Sequence, residues 1–249
     1  NCGMGYWKEL ACHYNALARE GIMVDLVGQD ADLAGYGLVV VPMLYLLRKE
    51  FAAKLCDFAR AGGTVVVTQW TGLVDESDLC YLGDTPYGLT GLLGLRRAEV
   101  DGLYDGETRL CRPVDGAPLV LPETQASVLC EVAVPDETSP ATPLLVYEED
   151  YFAGAPAVAV HPYGQGRGYY LASRFTPEFY RAFYHALAGE AGLEPATAPL
   201  PDGVLATRRE GLLFVQNCNP TPVQVLDTQL PAYGTAVWQT DDQGTQRIL

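Results

Sequence analysis

Two short runs, Leu38-Val39-Val40-Val41-Pro42 and Thr64-Val65-Val66-Val67-Thr68, are apolar without alternation, and a segment of helical period lies between them. Uninterrupted apolar strands of this kind are buried on both faces, which happens where helices cover both sides of a parallel sheet. In the intervening segment Phe51, Ala52, Leu55, Phe58 and Ala59 recur at helical spacing, and Gly62-Gly63 closes it. Strand, crossover helix and strand make a right-handed βαβ unit. Upstream, Trp7, Leu10, Ala11, Tyr14, Leu17 and Ala18 form one stripe of a helix over 6–20 that Gly21 stops, and Ile22–Val27 reads as a further short strand. The predicted order is α-β-loop-β-α-β, in a doubly wound, mostly parallel α/β sheet. Functional loops in such sheets leave the carboxyl ends of the strands, here Pro42–Lys49 and Gln69–Gly83.

From about Arg96 to Ser173 the pattern changes to short strand-like runs between glycines and prolines: Ala117–Leu121, Ala126–Val134, Pro143–Tyr147, Pro156–His161 and Gly168–Ala172. They are expected to extend the sheet. Thr176–Ala191 reads as a helix with Thr176 as N-cap, Pro177 in the first turn and Gly192 at its end. Residues 194–203 carry three prolines and no periodicity, the mark of a linker. Beyond it, Val204–Arg208, Gly211–Gln216, Pro222–Leu226, Thr235–Gln239 and Gln246–Leu249 predict a small antiparallel all-β domain, with a hairpin turn at Glu210-Gly211. The expected division is therefore an α/β domain over 1–193, a linker over 194–203 and a small β domain over 204–249.

Composition narrows the function classes. Sixteen basic against 31 acidic side chains leave a net charge of −15, which repels phosphate backbones and anionic lipid, so nucleic acid and membrane are excluded as partners. No run reaches the length of a membrane span, and no basic segment followed by an apolar stretch opens the chain. The seven cysteines (Cys2, Cys12, Cys56, Cys80, Cys111, Cys130 and Cys218) are odd in number and lack C-x-x-C spacing, which predicts neither a disulfide framework nor a thiolate zinc site and favours the cytoplasm.

Motifs of chemistry are sparse. No dinucleotide or P-loop glycine pattern follows a strand; Gly3-Met4-Gly5 is too short, and Gly164-Gln165-Gly166-Arg167-Gly168 lies in a hairpin, where glycine serves the turn. After the strand Thr64–Thr68 comes Gln69-Trp70-Thr71-Gly72, without the Ser or Cys that a nucleophile elbow carries. Cys56 and Cys130 sit in apolar runs, Cys80 in a loop, and His13, His161 and His185 are each isolated, as structural histidines are. The acidic loop Leu73–Leu79, with Asp75, Glu76 and Asp78, could hold a hard cation or do acid–base work, but a solvated turn accounts for it more simply; Glu148-Glu149-Asp150 reads as a charged surface turn. Tyr45, Trp70, Tyr81, Tyr87, Tyr151 and Phe152 are loop aromatics of the kind found at interfaces or against sugar rings. No catalytic residue, metal ligand or cofactor is assigned.

The runs Ala31–Leu47 and Ala61–Leu79 together resemble the trimerisation domain of glycoside hydrolase family 42 β-galactosidases. Gly166-Arg167-Gly168-Tyr169-Tyr170 and Glu210–Asn217 are similar to the end of that domain and to the family's C-terminal β domain. The resemblance implies a glutamine-amidotransferase-like or flavodoxin-like α/β fold without that fold's nucleophile, and a homo-oligomer, a trimer in the whole enzyme. It also implies terminal β-galactosides as substrates, bound in an eight-stranded β/α barrel whose two glutamates work by a retaining mechanism. A barrel takes about 250 residues, and every residue here is already allotted to the two later domains, so no catalytic glutamate is transferred and the chain is expected to be a non-catalytic fragment. The loop Gln69–Gly83, with Trp70, Asp75, Glu76 and Asp78, is expected at a subunit boundary. Two other classes compete: a stand-alone amidotransferase-like enzyme using Cys80 or the acidic loop, and a carbohydrate-binding module acting through exposed aromatics.

Overall fold

A computed structural model describes residues 5–226, 228–241 and 244–247. The reading of Gly3-Met4-Gly5, the thiol Cys2 and the last two residues of the expected strand Gln246–Leu249 lie wholly or partly outside them. The chain forms two compact units, one of residues 1–13 and 27–191 and one of residues 14–26 and 192–249. Among the described residues no helix is long and apolar enough to cross a membrane.

The first unit is built on a nine-stranded sheet. Helix α1 (Tyr6–Arg19), of which Tyr6–His13 belong to this unit, is followed by β1 (Leu38–Val41), α2 (Lys49–Arg60) and β2 (Thr64–Thr68). After a short helix α3 (Thr90–Leu93) come β3 (Leu95–Gly102), β4 (Thr108–Pro113), β5 (Thr124–Pro135), β6 (Thr142–Tyr147), β7 (Pro156–Tyr163), β8 (Gly166–Leu171), β9 (Ser173–Arg174) and α4 (Pro177–Glu190). Strand order is β1-β2-β8-β7-β6-β4-β5-β3, with β9 paired to β5. The α/β class expected from the sequence is what the structure has, with one refinement: only β1, β2 and β8 are parallel neighbours, and the remaining pairs are antiparallel. The parallel part is confined to the βαβ unit and the strand beside it, because β4–β5, β6–β7 and β7–β8 are consecutive strands paired antiparallel, and such connections need no crossover helix.

That antiparallel part curls on itself. β9 continues β8 past Ala172 and pairs with β5 at Cys130–Ser173 and Ser127–Arg174, so β5, β4, β6, β7 and β8–β9 close into a ring. Bulges supply the bend: the register slips between Ser127 and Cys130 in β5, where Val128 has φ +74°, and between Pro143 and Leu145 in β6.

Helices lie on both faces. A Cβ on Gly166 would come 2.4 Å from Ala59 O, and one on Gly168 would come 2.8 Å from Leu92 O, so α2 and α3 share the face to which these positions point. Tyr169, one residue on, points the other way and meets Phe183 of α4 edge to face at 5.6 Å. Behind α4, His13 of α1 packs against Tyr180 and Tyr184. Helix α4 begins as expected, with Thr176 Oγ1 accepting the Phe179 amide at 3.2 Å, and buries Phe179, Tyr180, Phe183, Tyr184 and Leu187.

Three expectations about elements are corrected. Ile22–Val27 is not a strand: among the described residues no sheet edge pairs with it, and Met23, Leu26 and Val27 are exposed. Ala117–Leu121 is irregular, while β3 and β4, which alternate charged with apolar residues, carry the sheet there instead. In α1 the expected apolar stripe is not the most buried face of the first unit's half, since Trp7 is 74% exposed whereas Glu9 and His13 are buried.

The second unit holds a four-stranded sheet, β10 (Val204–Arg209), β11 (Leu212–Asn217), β14 (Thr235–Asp241) and β15 (Gly244–Arg247), and a two-stranded one, β12 (Val223–Val225) with β13 (Thr228–Leu230). Glu210 and Gly211 both have positive φ, as the two central residues of a type I′ hairpin turn require. Ala196 and Leu200, in the stretch read as a linker, are buried in this unit's core with Val204, Val215, Leu230 and Trp238.

Candidate functional site

The loops that leave the carboxyl ends of β1 and β2 are laced together. Thr68 Oγ1 accepts the Met43 amide at 2.8 Å and Thr71 Oγ1 the Leu44 amide at 3.1 Å. Gly72 N–H donates to Leu44 O, Leu73 N–H to Tyr45 O and Leu47 N–H to Val74 O, each at 3.0–3.1 Å. The parallel pairing of the two strands is thus continued by their loops, over a fully buried Val74. A second fastening comes from the segment before β1: the Gln29 side chain donates to Leu46 O and accepts from Arg48 N, Arg48 forks onto Asp30 at 2.8 and 3.0 Å, and Lys54 Nζ donates to the carbonyls of Gln29, Asp30 and Ala31. The hydrogen bonds from Arg48, and then its charge, hold the Asp30 carboxyl below the usual range.

Trp70 turns the chain at the end of β2. Its φ of +62° lies in the left-handed region that bulky residues avoid, and its amide donates to Glu131 Oε1 at 2.9 Å. Glu131, on β5, is completely buried; it also accepts from Arg97 Nη1 at 2.8 Å and from the Tyr170 hydroxyl. Gln69 and Thr71 on either side are buried, and Gly72, at φ +66°, has no room for a Cβ, which would sit 2.9 Å from Tyr87 N. The position a nucleophile would occupy in a strand-to-helix elbow is therefore filled by an indole whose backbone is gripped from below.

The three acids behave as a turn. Asp75 Oδ1 accepts the amides of Ser77 and Leu79 at 2.8 and 3.1 Å, the Asp78 amide closes onto Asp75 O, and Glu76 and Asp78 are exposed. Among the described residues no group of three or more His, Cys, Asp or Glu could hold a metal ion. Partial burial, together with the charge and hydrogen bond of Asp78, raises the Tyr45 hydroxyl. The loop thus joins Asp78 to Tyr45 and Trp70 to Glu131, while no hydrogen bond links Trp70 to the acids.

An apolar crest stands on this base. Tyr45 is 39%, Leu79 64% and Leu82 94% exposed. Beside them Tyr81 stacks on Tyr87 with centroids 3.7 Å apart, Lys49 Nζ lies 5.9 Å from both rings, and the Tyr81 hydroxyl donates to Leu47 O. The other loop aromatics lie elsewhere: Phe152 is in the core and Tyr151 is bound to Glu99. Cys80 is exposed, Cys56 half-buried, and Asp150 of the 148–150 turn pairs with Arg109.

Sequence reasoning missed two buried ionic clusters. Besides Glu131 and Arg97, Glu9 of α1 accepts from His13 Nε2 at 3.2 Å, from the Tyr180 hydroxyl at 2.7 Å and from Arg174 Nε. Burial alone would push the Glu9 carboxyl up, but His13 and then Arg174 outweigh it and bring it down to about 2. His161 is likewise structural, between Leu92 O and Ser139 Oγ, whereas His185 is exposed. For Glu131 the available signal is a lone Glu inside the apolar run Ala126–Val134, since buried carboxylates are almost always paired; Glu9, beside Lys8, carries no such signal.

The profile of the β-galactosidase trimerisation domain family matches residues 1–194. The chain is 42% identical over 226 residues to the β-galactosidase BglY of Alicyclobacillus acidocaldarius, covering 89% of itself and 32% of that protein. It is 38% identical over 191 residues to GalA of Bacillus licheniformis, covering 77% of itself and 27% of the relative. Among solved structures, the β-galactosidase of Rahnella sp. R3 superposes with a TM-score of 0.86 at 38% identity, over 99% of this chain and 37% of that one. That of Bacillus circulans sp. alkalophilus gives 0.84 at 27% identity, over 95% and 38%. The chain spans about a third of the length of the curated relatives it matches. By profile, identity and fold together, it belongs to the trimerisation-domain family of glycoside hydrolase family 42 β-galactosidases.

Proposed function

We propose that this chain is the assembly portion of a β-galactosidase, that it joins three copies, and that the paired loops 42–49 and 69–83 lie at the boundary between them. Hydrolysis of terminal β-galactosyl residues, by a retaining mechanism on two carboxylates, then belongs to a barrel outside these residues. Within the chain the proposed division is an assembly domain over 1–193, a connection over 194–203 and a small β domain over 204–249. The end of the family match at residue 194 supports it. The proposed location is the cytoplasm, on the strength of the odd, unpatterned set of cysteines.

One observation carries the boundary reading: the exposed Tyr45 and Leu79 stand on loops fixed by backbone hydrogen bonds, and the exposed Leu82 directly follows Tyr81, whose amide is bound to Leu73 O. Exposed apolar side chains on a rigid base lose little conformational entropy on docking, which suits an interface. The surrounding Asp75, Glu76 and Asp78 form the polar rim such patches have. The test is sedimentation velocity of the full-length protein with Trp70→Ala and Leu82→Asp. Both variants are expected to dissociate at concentrations where the wild type is trimeric; an unchanged trimer with unchanged turnover in both removes the reading.

A further inference from the structure

Trp70 is held in a conformation that its own side chain disfavours, and such strain persists only where the surroundings over-determine it. The elbow is gripped at two points. At one end the Trp70 amide donates to Glu131 Oε1; at the other, Tyr87 N–H donates to Gly72 O at 3.1 Å. The two grips are themselves linked, because Arg97, whose Nη1 shares that carboxylate oxygen, donates its backbone N–H to Thr85 O at 2.7 Å, two residues before Tyr87.

The acceptor is also unusual. β5 is not a ladder neighbour of β2, so Glu131 reaches the elbow from a different part of the sheet, where its own N–H is fixed to Ala172 O at 2.9 Å. A fully buried carboxylate is costly, and a buried ion pair seldom adds stability over an apolar pair of the same volume. Arg97 Nη2 has no hydrogen-bond partner among the described residues. What this carboxylate does besides pairing with Arg97 is to take the Trp70 amide on the same oxygen. Every acceptor direction used on Glu131 is accounted for by Trp70, Arg97 and Tyr170, and of these only Trp70 belongs to the loop that leaves the carboxyl end of β2, where its side chain is half-buried.

We infer that Glu131, backed by Arg97, is the positioning residue for Trp70, fixing the left-handed elbow and so the direction in which the indole leaves the β2 loop. The consequence for assembly rests on the boundary reading above; the positioning itself does not.

The experiment uses the full-length protein labelled with fluorotryptophan, with the Trp70 and Trp238 resonances assigned by Trp70→Phe and Trp238→Phe. In Glu131→Ala the Trp70 resonance is expected to shift or broaden while that of Trp238 stays, and the subunit dissociation constant to rise roughly tenfold, the scale of one hydrogen bond to a charged group. Glu131→Gln keeps an acceptor oxygen for the Trp70 amide, and its Trp70 resonance is expected to stay at the wild-type position. In a Trp70→Gly background, where left-handed φ is free of strain, Glu131→Ala should leave the dissociation constant unchanged. An unmoved Trp70 resonance in Glu131→Ala overturns the inference, as does an equal weakening of assembly in both backgrounds. A moved resonance with unaltered assembly supports the positioning role and sinks the boundary reading instead. Should Glu131→Ala not fold, amide exchange of segment 69–72 in Glu131→Gln decides: a neutral acceptor should speed exchange about tenfold relative to β2 itself, and an unchanged rate overturns the inference.

Discussion

Replacing Glu9 by Gln tests the pairing that locks α1 to α4. The carboxyl titrates at about 2 in the folded chain against 4.5 for a free glutamate. Each unit of that difference is worth about 1.4 kcal/mol, so the ionised form contributes about 3 kcal/mol. Because the folded value is the lower one, this contribution is present in full above about pH 4.5 and is lost as pH falls toward 2; linkage puts about 2 kcal/mol of the loss above about pH 3. The assay is urea unfolding of wild type and Glu9→Gln followed by circular dichroism, from about pH 6 to about pH 3. Other carboxylates, among them Asp30 and Asp136, whose hydrogen bonds lower them too, are common to both proteins and cancel in the difference. The variant should be less stable at about pH 6, where Arg174 loses its charged partner, and the gap should narrow by about 2 kcal/mol by about pH 3. A gap that stays constant across the window refutes the argument, since Glu9 would then not be the depressed carboxylate.

Two glycines in the first unit should respond in opposite senses. A Cβ on Gly166 would meet Gly63 O at 2.1 Å and Ala59 O at 2.4 Å, all backbone, so Gly166→Ala should force β8 from the end of α2 and cost about 1–3 kcal/mol or more in thermal unfolding. Gly91 in α3 faces open space at negative φ, and Gly91→Ala should be neutral or stabilise by about 0.5–1 kcal/mol. Thr176→Ala removes the side-chain cap of α4 and should lower stability by about 1 kcal/mol, with Thr176→Ser recovering most of it. Equal effects of Ala and Ser there would show that the hydroxyl is not the cap.

The amino-acid sequence alone carried the βαβ unit, the helix α4 with its Thr176 cap, the 164–165 and 210–211 turns and most strands of the second unit. Each depends on chemistry local in the chain: apolar periodicity, a capping hydroxyl, glycine at positive φ. It also marked the two loops at the carboxyl ends of β1 and β2, because strand direction in such a unit fixes where the loops emerge. What it left undecided had long-range causes. Ile22–Val27 has strand-forming residues, yet a strand exists only where an edge is offered, and none among the described residues pairs with it. His13 reads as a structural histidine from the sequence, but its partners do not: Arg174, Tyr180 and Tyr184, more than 160 residues away, are what make Glu9 and His13 an interior. Glu131 lay unremarked in an apolar run, and only the curl that brings β5 against β8–β9 delivers it to Trp70. Patterning along the chain decides which segments want burial, but which charges may be buried is settled by the partners that tertiary folding supplies, since an ionised group survives away from water only when other groups surround it.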